Sequence, residues 1–114
     1  GLALVAEHRT ADGGREVLAL GRLRRTEPAS AEIALLVIDR WQGLGLGGAL
    51  MQHLVTAARK LGLRRLHGDM LAGNDAMRAV VRHAGFVIRT VPGEGGLLRA
   101  ELSLDPHSPD AVAG

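Results

Sequence analysis

No cysteine occurs anywhere in this chain, and no tyrosine. The first absence removes disulfides, thiolate zinc ligands and a nucleophilic thiol. The second removes any chemistry that needs a tyrosine hydroxyl from within the chain. Aromatic residues amount to one Trp and one Phe, so the core has to be assembled from Leu, Val, Ala and Ile. His8, His53, His67 and His107 show none of the spacings of a zinc site, and no metal is expected. No apolar run is long enough for a bilayer span and no charged-then-apolar leader opens the chain, so no membrane partner is expected and the chain reads as cytoplasmic. The formal net charge is only +2. The basic clusters 22-RLRR-25 and 64-RR-65 carry no interleaved aromatics on which bases could stack, so nucleic acid is not an expected partner either.

What remains is a chain of 114 residues, enough for one domain with one core. Residues 2–8 have strand character, 11-ADGG-14 is a turn signal, and 16–25 returns as a second strand of an antiparallel hairpin. The run 31-AEIALLVI-38 is almost continuously apolar, the pattern of a central strand buried on both faces. A helix is predicted over 49–61, with Leu50, Leu54, Ala57, Ala58 and Leu61 on one face and Gly62 as its stop. A strand follows over 63–71. Asn74 or Asp75 caps a second helix over 76–84, which Gly85 ends. Strands over 86–91 and 97–104 close the domain across 92-PGEGG-96. The order β-β-β-α-β-α-β-β predicts a mixed α/β (α+β) sheet in one domain over 1–104, and the tail 105–114 reads as loose.

Between the apolar strand and the first helix lies 42-QGLGLGG-48, where glycine crowds the backbone. Two phosphate-binding readings compete. Gly43-Leu44-Gly45-Leu46-Gly47-Gly48 matches the dinucleotide pattern G-x-G-x-x-G, with Asp69 downstream as a ribose acceptor. Against it, Asp39, Arg40, Trp41 and Gln42 intervene before the first glycine, and the strand follows a hairpin instead of opening a parallel series. The preferred reading is Gln42-x-x-Gly45-x-Gly47 at a helix start. There, outward-pointing amides and the helix dipole hold a pyrophosphate, and Gly45 and Gly47 present no Cβ to collide with it.

This loop resembles the acetyl-coenzyme A pyrophosphate loop of the GNAT superfamily of N-acetyltransferases. Two further segments carry the same resemblance: 74-NDAMRAVVRHAGF-86 is similar to the family's helix with Asn74, Gly85 and Phe86 in register, and 31–38 is similar to the strand beside the cofactor. The phrase DRWQGLGLG followed by NDAM further resembles the GNAT domains of bacterial protein lysine acetyltransferases. The resemblance covers residues 2–104 and implies a GNAT-like fold without the N-terminal strand and two helices that usually open it. A start at Gly1 rather than Met fits a piece of a longer protein.

The resemblance implies acetyl-CoA as cosubstrate, with Gln42, Gly43, Leu44, Gly45, Leu46, Gly47 and Gly48 at its pyrophosphate. Backbone at Leu36, Val37 and Ile38 would meet the pantetheine and the thioester oxygen, and Asn74 would touch the pantetheine arm or simply cap its helix. It places the catalytic glutamate at Glu32, the one acid in an otherwise apolar strand. A free lysine amine has a pKa of about 10.4 and must lose a proton before it attacks a thioester. A strand-end Glu paired with a neighbouring Arg is the alternative reading of Glu32. The family's general-acid tyrosine would fall at Val81, and Leu44 stands where relatives are often basic. The implied reaction is direct acetyl transfer to an amine, with a protein lysine as acceptor, an acyl-CoA synthetase among the candidates, and a fused acyl-CoA-synthetase-like domain. A noncatalytic acyl-CoA sensor and a nicotinamide-dinucleotide module stay open as alternatives.

Overall fold

A computed structural model describes residues 2–38 and 45–104. Its elements are β1 (Leu2–Arg9), β2 (Arg15–Glu27), β3 (Ser30–Val37), α1 (Leu46–Lys60), β4 (Arg65–Leu71), α2 (Asp75–His83), β5 (Val87–Thr90) and β6 (Leu97–Ser103), in the order the sequence predicts. They build one sheet in the order β1-β2-β3-β4-β6-β5. β3 and β4 run parallel, joined by the crossover through α1, and every other pair of neighbours is antiparallel. A sheet with one parallel step is a mixed sheet, not the parallel series of a dinucleotide unit.

Both helices pack on the same face. Met51, Leu54 and Ala58 of α1 and Val81 of α2 join Leu23, Ala31, Ile33, Leu66, Ala100 and Leu102 of the sheet in one buried cluster. This corrects the reading of 31–38 as a strand buried on both faces. Ala31 and Ile33 are buried under the helices, but Leu36 is 58% exposed on the other face, beside Val5 and Leu20. An apolar run looks the same whether one face or both are covered.

Helix ends explain the shifted boundaries. Gly62 at φ +76° lets its N–H reach the Arg59 carbonyl and the Leu63 N–H reach the Ala58 carbonyl, each at 3.1 Å, the paired closure of a Schellman motif. That closure uses residues 62 and 63, so β4 starts at Arg65 and not at 63. Leu61, predicted on the buried face, is the C-cap and is exposed. α2 closes in the same way: Gly85 at φ +93° donates to Arg82 and Phe86 donates to Val81 at 2.9 Å. α1 also begins earlier than the predicted 49, because Leu46, Gly47 and Gly48 form its first turn. Glycine's poor helix propensity hides such a turn from a pattern reading. The tail 105–114 lies outside the described residues, as do Gln42, Gly43 and Leu44.

Candidate active site

β3 and β4 pair over only three positions, Ser30 with Arg65, Ala31 with Leu66 and Glu32 with His67. Beyond them β3 stays with β2 as far as Val37 and β4 stays with β6 as far as Leu71, so the two strands part like a fork. Gly68, just past the last pair, sits so close to β3 that a Cβ there would lie 2.7 Å from the Ile33 carbonyl oxygen. The fork opens a cavity of about 320 Å³ between Ile33–Leu35 on one side and Gly68–Met70 on the other. Met51, Asn74, Met77 and Val81 line it from the helices, and Glu32 stands at its apex.

Main-chain direction along the fork follows from one hydrogen bond. The Ile38 N–H donates to the Leu18 carbonyl at 3.0 Å, so it faces β2. Successive amides of a strand point to opposite edges. The amides of Ile33, Leu35 and Val37 therefore face β4, and Leu36 faces β2 with Ile38. This corrects the placement of Leu36 and Ile38 as main-chain partners of a ligand in the fork. Val37 keeps that direction, and Leu35 joins it.

The N-terminus of α1 follows the end of β3 across residues 39–44. Gly45 is its N-cap at φ +81°, and among the described residues no side chain caps the helix and its first turn holds no acid. The first amides of the helix carry partial positive charge. A Cβ built at Gly45 or Gly48 meets nothing within 4 Å among the described residues. Gly47 differs from the sequence reading. It is buried, and a Cβ there would press on Val80 Cγ2 at 3.2 Å and Val37 Cγ2 at 3.4 Å. Its small size serves the packing of α1 against β3 and α2, not the approach of a ligand.

At the apex, Glu32 accepts from Arg24 Nη2 at 3.1 Å across the β2–β3 ladder, with the Glu32 side chain 37% exposed. Glu32 thus borders the cavity while its carboxylate is paired with an arginine. On β4, Asp69 accepts from Arg99 Nε at 2.9 Å. That hydrogen bond holds the Asp69 carboxyl below the usual carboxylate range and raises Arg99 in turn. Asp69 is thereby engaged and not free to take a ribose. Asn74 Oδ1 accepts from the Met77 N–H at 3.1 Å, capping α2 while its side chain lines the cavity. Val81, at the tyrosine position of the resemblance, is buried in the core and brings no hydroxyl.

From the sequence, 63–71 is only a strand. Gly68, Met51 and Met77 go unnoticed there, Asp69 is considered only as a ribose acceptor and His67 only as a zinc ligand. A glycine within a strand does signal close backbone approach, and that signal stood in 67-HGD-69.

The sequence pattern described as the Acetyltransferase (GNAT) family matches residues 4–86. An acetyltransferase of Pseudomonas aeruginosa is 36% identical over 78 residues, covering 68% of this chain and 42% of its own length. The acetyltransferase Pat of Mycolicibacterium smegmatis is 34% identical over 76 residues, covering 67% of this chain and 22% of its own. The chain thus spans less than half the length of these curated relatives. Among solved structures, the GNAT domain of S. lividans PAT superposes with a TM-score of 0.69 at 32% identity, over 83% of this chain and 57% of that one. With the fork, the glycine-started helix and these matches together, the chain belongs to the GNAT family of acetyltransferases.

Proposed function

We propose that this chain transfers the acetyl group of acetyl-CoA to a primary amine by direct attack within a ternary complex. The observation that carries the reading is the fork itself: an opening between β3 and β4 with Glu32 at its apex, in a chain whose next helix starts on glycines. The fit to acetyl-CoA rests on two features of that start. Among the described residues nothing stands within 4 Å of a Cβ placed at Gly45 or Gly48, and the first turn has no acid to repel a phosphate. In this reading the amides of Gly45–Gly48, with Gln42, Gly43 and Leu44, hold the pyrophosphate. The fork-facing amide of Leu35 pairs with the extended pantetheine as an added strand would, with Val37 beside it, and donates to the thioester oxygen as charge grows there. Asn74 borders the same arm.

Glu32 takes a proton from the acceptor ammonium, and the neutral nitrogen attacks the thioester carbon. A C–N bond forms and the nitrogen sheds its second proton, the C–S bond breaks with its electron pair leaving on sulfur, and of the two protons released one ends on the thiolate and the other in water. No tyrosine protonates that sulfur. A thiolate of ordinary basicity, with a thiol pKa of about 8.5, is a leaving group that does not require one. A protein lysine is the preferred acceptor, supported by the likeness to proteins named Pat and PAT, with an acyl-CoA synthetase as the first substrate to try and a cytosolic setting.

Two observations favour a second reading, a noncatalytic acyl-CoA sensor: Glu32 is tied to Arg24, and Val81 replaces a hydroxyl. Incubation with acetyl-CoA and a panel of amines (a lysine peptide, a free peptide N-terminus, a polyamine) separates them. Acetylated amine by mass spectrometry, with equimolar thiol release, supports transfer. Bound acetyl-CoA without any acetylated product supports the sensor.

A further inference from the structure

Acetylation of an ammonium removes two protons from one nitrogen, one before attack and one after the C–N bond forms, and a single carboxylate holds only one of them. Resting on the transfer reading above, we propose that His67 is the second proton acceptor of this site. His67 is the register partner of Glu32 in the last pair before the strands part. Paired residues of neighbouring strands put their side chains on the same face, so the imidazole and the Glu32 side chain share one face of the sheet at the apex. The ring is half-buried and lines a separate cavity of about 520 Å³ on the sheet face away from the helices, with Thr26, Ser30, Arg99 and Glu101. Both groups lie on that one face, the side from which the amine arrives in this proposal.

This role requires one tautomer. Thr26 Oγ1 lies 3.4 Å from the Ser30 carbonyl oxygen and 3.3 Å from His67 Nε2. A hydroxyl has one proton; when that proton points at Ser30, the hydroxyl accepts from Nε2–H and Nδ1 holds the lone pair, and this is the arrangement the role calls for. Among the described residues Nδ1 has no hydrogen-bond partner. An orienting group on one nitrogen and an open lone pair on the other is the arrangement of a general base. The groups that face the ring are Glu32 from β3, Thr26 and Glu27 from β2, Arg65 and Asp69 from β4, and Arg99 and Glu101 from β6. The balance is then complete. The first proton goes to Glu32 and the second to His67 Nδ1, one of the two later joins the thiolate, and the other returns to water.

Two measurements test this. Long-range 1H–15N spectra of the labelled chain are expected to show a neutral His67 ring protonated on Nε2, with that bias lost in Thr26→Val. A ring protonated on Nδ1 overturns the proposal whatever the activity. Thiol release from acetyl-CoA is then followed with a lysine peptide as acceptor. His67→Ala is expected to lower turnover about 10²-fold, to leave acetyl-CoA affinity by calorimetry unchanged, and to regain part of the rate with added imidazole. His67→Gln, which keeps a partner for Thr26, should be as slow but not rescued. Parental turnover in His67→Ala, or a loss that imidazole does not restore, overturns the role of His67 and leaves acetyl transfer standing. A parent chain that binds acetyl-CoA yet acetylates no amine overturns the transfer reading and this inference together.

Discussion

Gly68→Ala is the sharpest perturbation of the fork. The added Cβ would lie 2.7 Å from the Ile33 carbonyl oxygen and 3.2 Å from Ile33 Cγ2. A comfortable carbon–oxygen separation is about 3.3 Å, so the strands have to part by roughly half an ångström. The obstacle is main chain, which cannot rotate away. Overfilling of this kind costs about 1–3 kcal/mol. Gly68 is not held at a positive φ, so alanine recovers about 0.5–1 kcal/mol of chain entropy. The net is a loss of about 1–2 kcal/mol, and each 1 kcal/mol lowers the melting temperature of a domain this size by about 4–8 °C. Gly21→Ala is the control. Its Cβ would meet Leu54 Cδ1 at 2.9 Å, the far end of a side chain that can turn, so the loss should stay under about 1 kcal/mol. Thermal unfolding by circular dichroism reads both. Gly68→Ala melting at or above the parent would refute the claim that glycine is needed for the strands to meet at the apex.

Gly48 is helical with open space where a Cβ would stand, so Gly48→Ala should raise stability by about 0.5–1 kcal/mol while weakening acetyl-CoA in calorimetric titration. A gain in stability with unchanged affinity would move the pyrophosphate elsewhere. Glu32→Gln should lower amine acetylation about 10²-fold and change stability by under about 1 kcal/mol, since the pair with Arg24 is exposed. Equal rates in mutant and parent from pH 6 to 9, roughly the span that exposes a base, would remove Glu32 from the mechanism. Asp69 has its folded pKa depressed by Arg99. Its contribution is present above the unfolded value of about 3.9 and is lost as pH falls through the lower folded value. Asp69→Asn should therefore narrow the gap in melting temperature between pH 7 and pH 3, and a gap as wide as the parent's would contradict the pairing.

Much of the fold was legible because glycines end its helices where the apolar period ends. Gly62 and Gly85 mark those stops in the sequence, and the structure gives both a positive φ. The hairpin turn was equally legible, with Gly13 at φ +87°. The start of α1 was not, because residues 46–48 look like loop until Gly45 sets the cap. Neither was the open face of β3, since Leu36 and Ile38 are as apolar as the residues under the helices. In the site, a motif places residues near a ligand but does not say which way their amides point. That parity comes from the ladder with β2, which turns Leu36 aside and brings Leu35 and Val37 into the fork. The partnership of Glu32 with His67 rests on a parallel register that only the paired strands supply.

The central claim is that the fork and the first turn of α1 form one site for acetyl-CoA. Calorimetric titration of the chain with acetyl-CoA, and with NAD in parallel, tests it most directly. Saturable binding of one acetyl-CoA, with NAD silent and the affinity reduced in Gly48→Ala, is the predicted result. Preference for NAD, or no acetyl-CoA binding by a chain that circular dichroism shows to be folded, would contradict it.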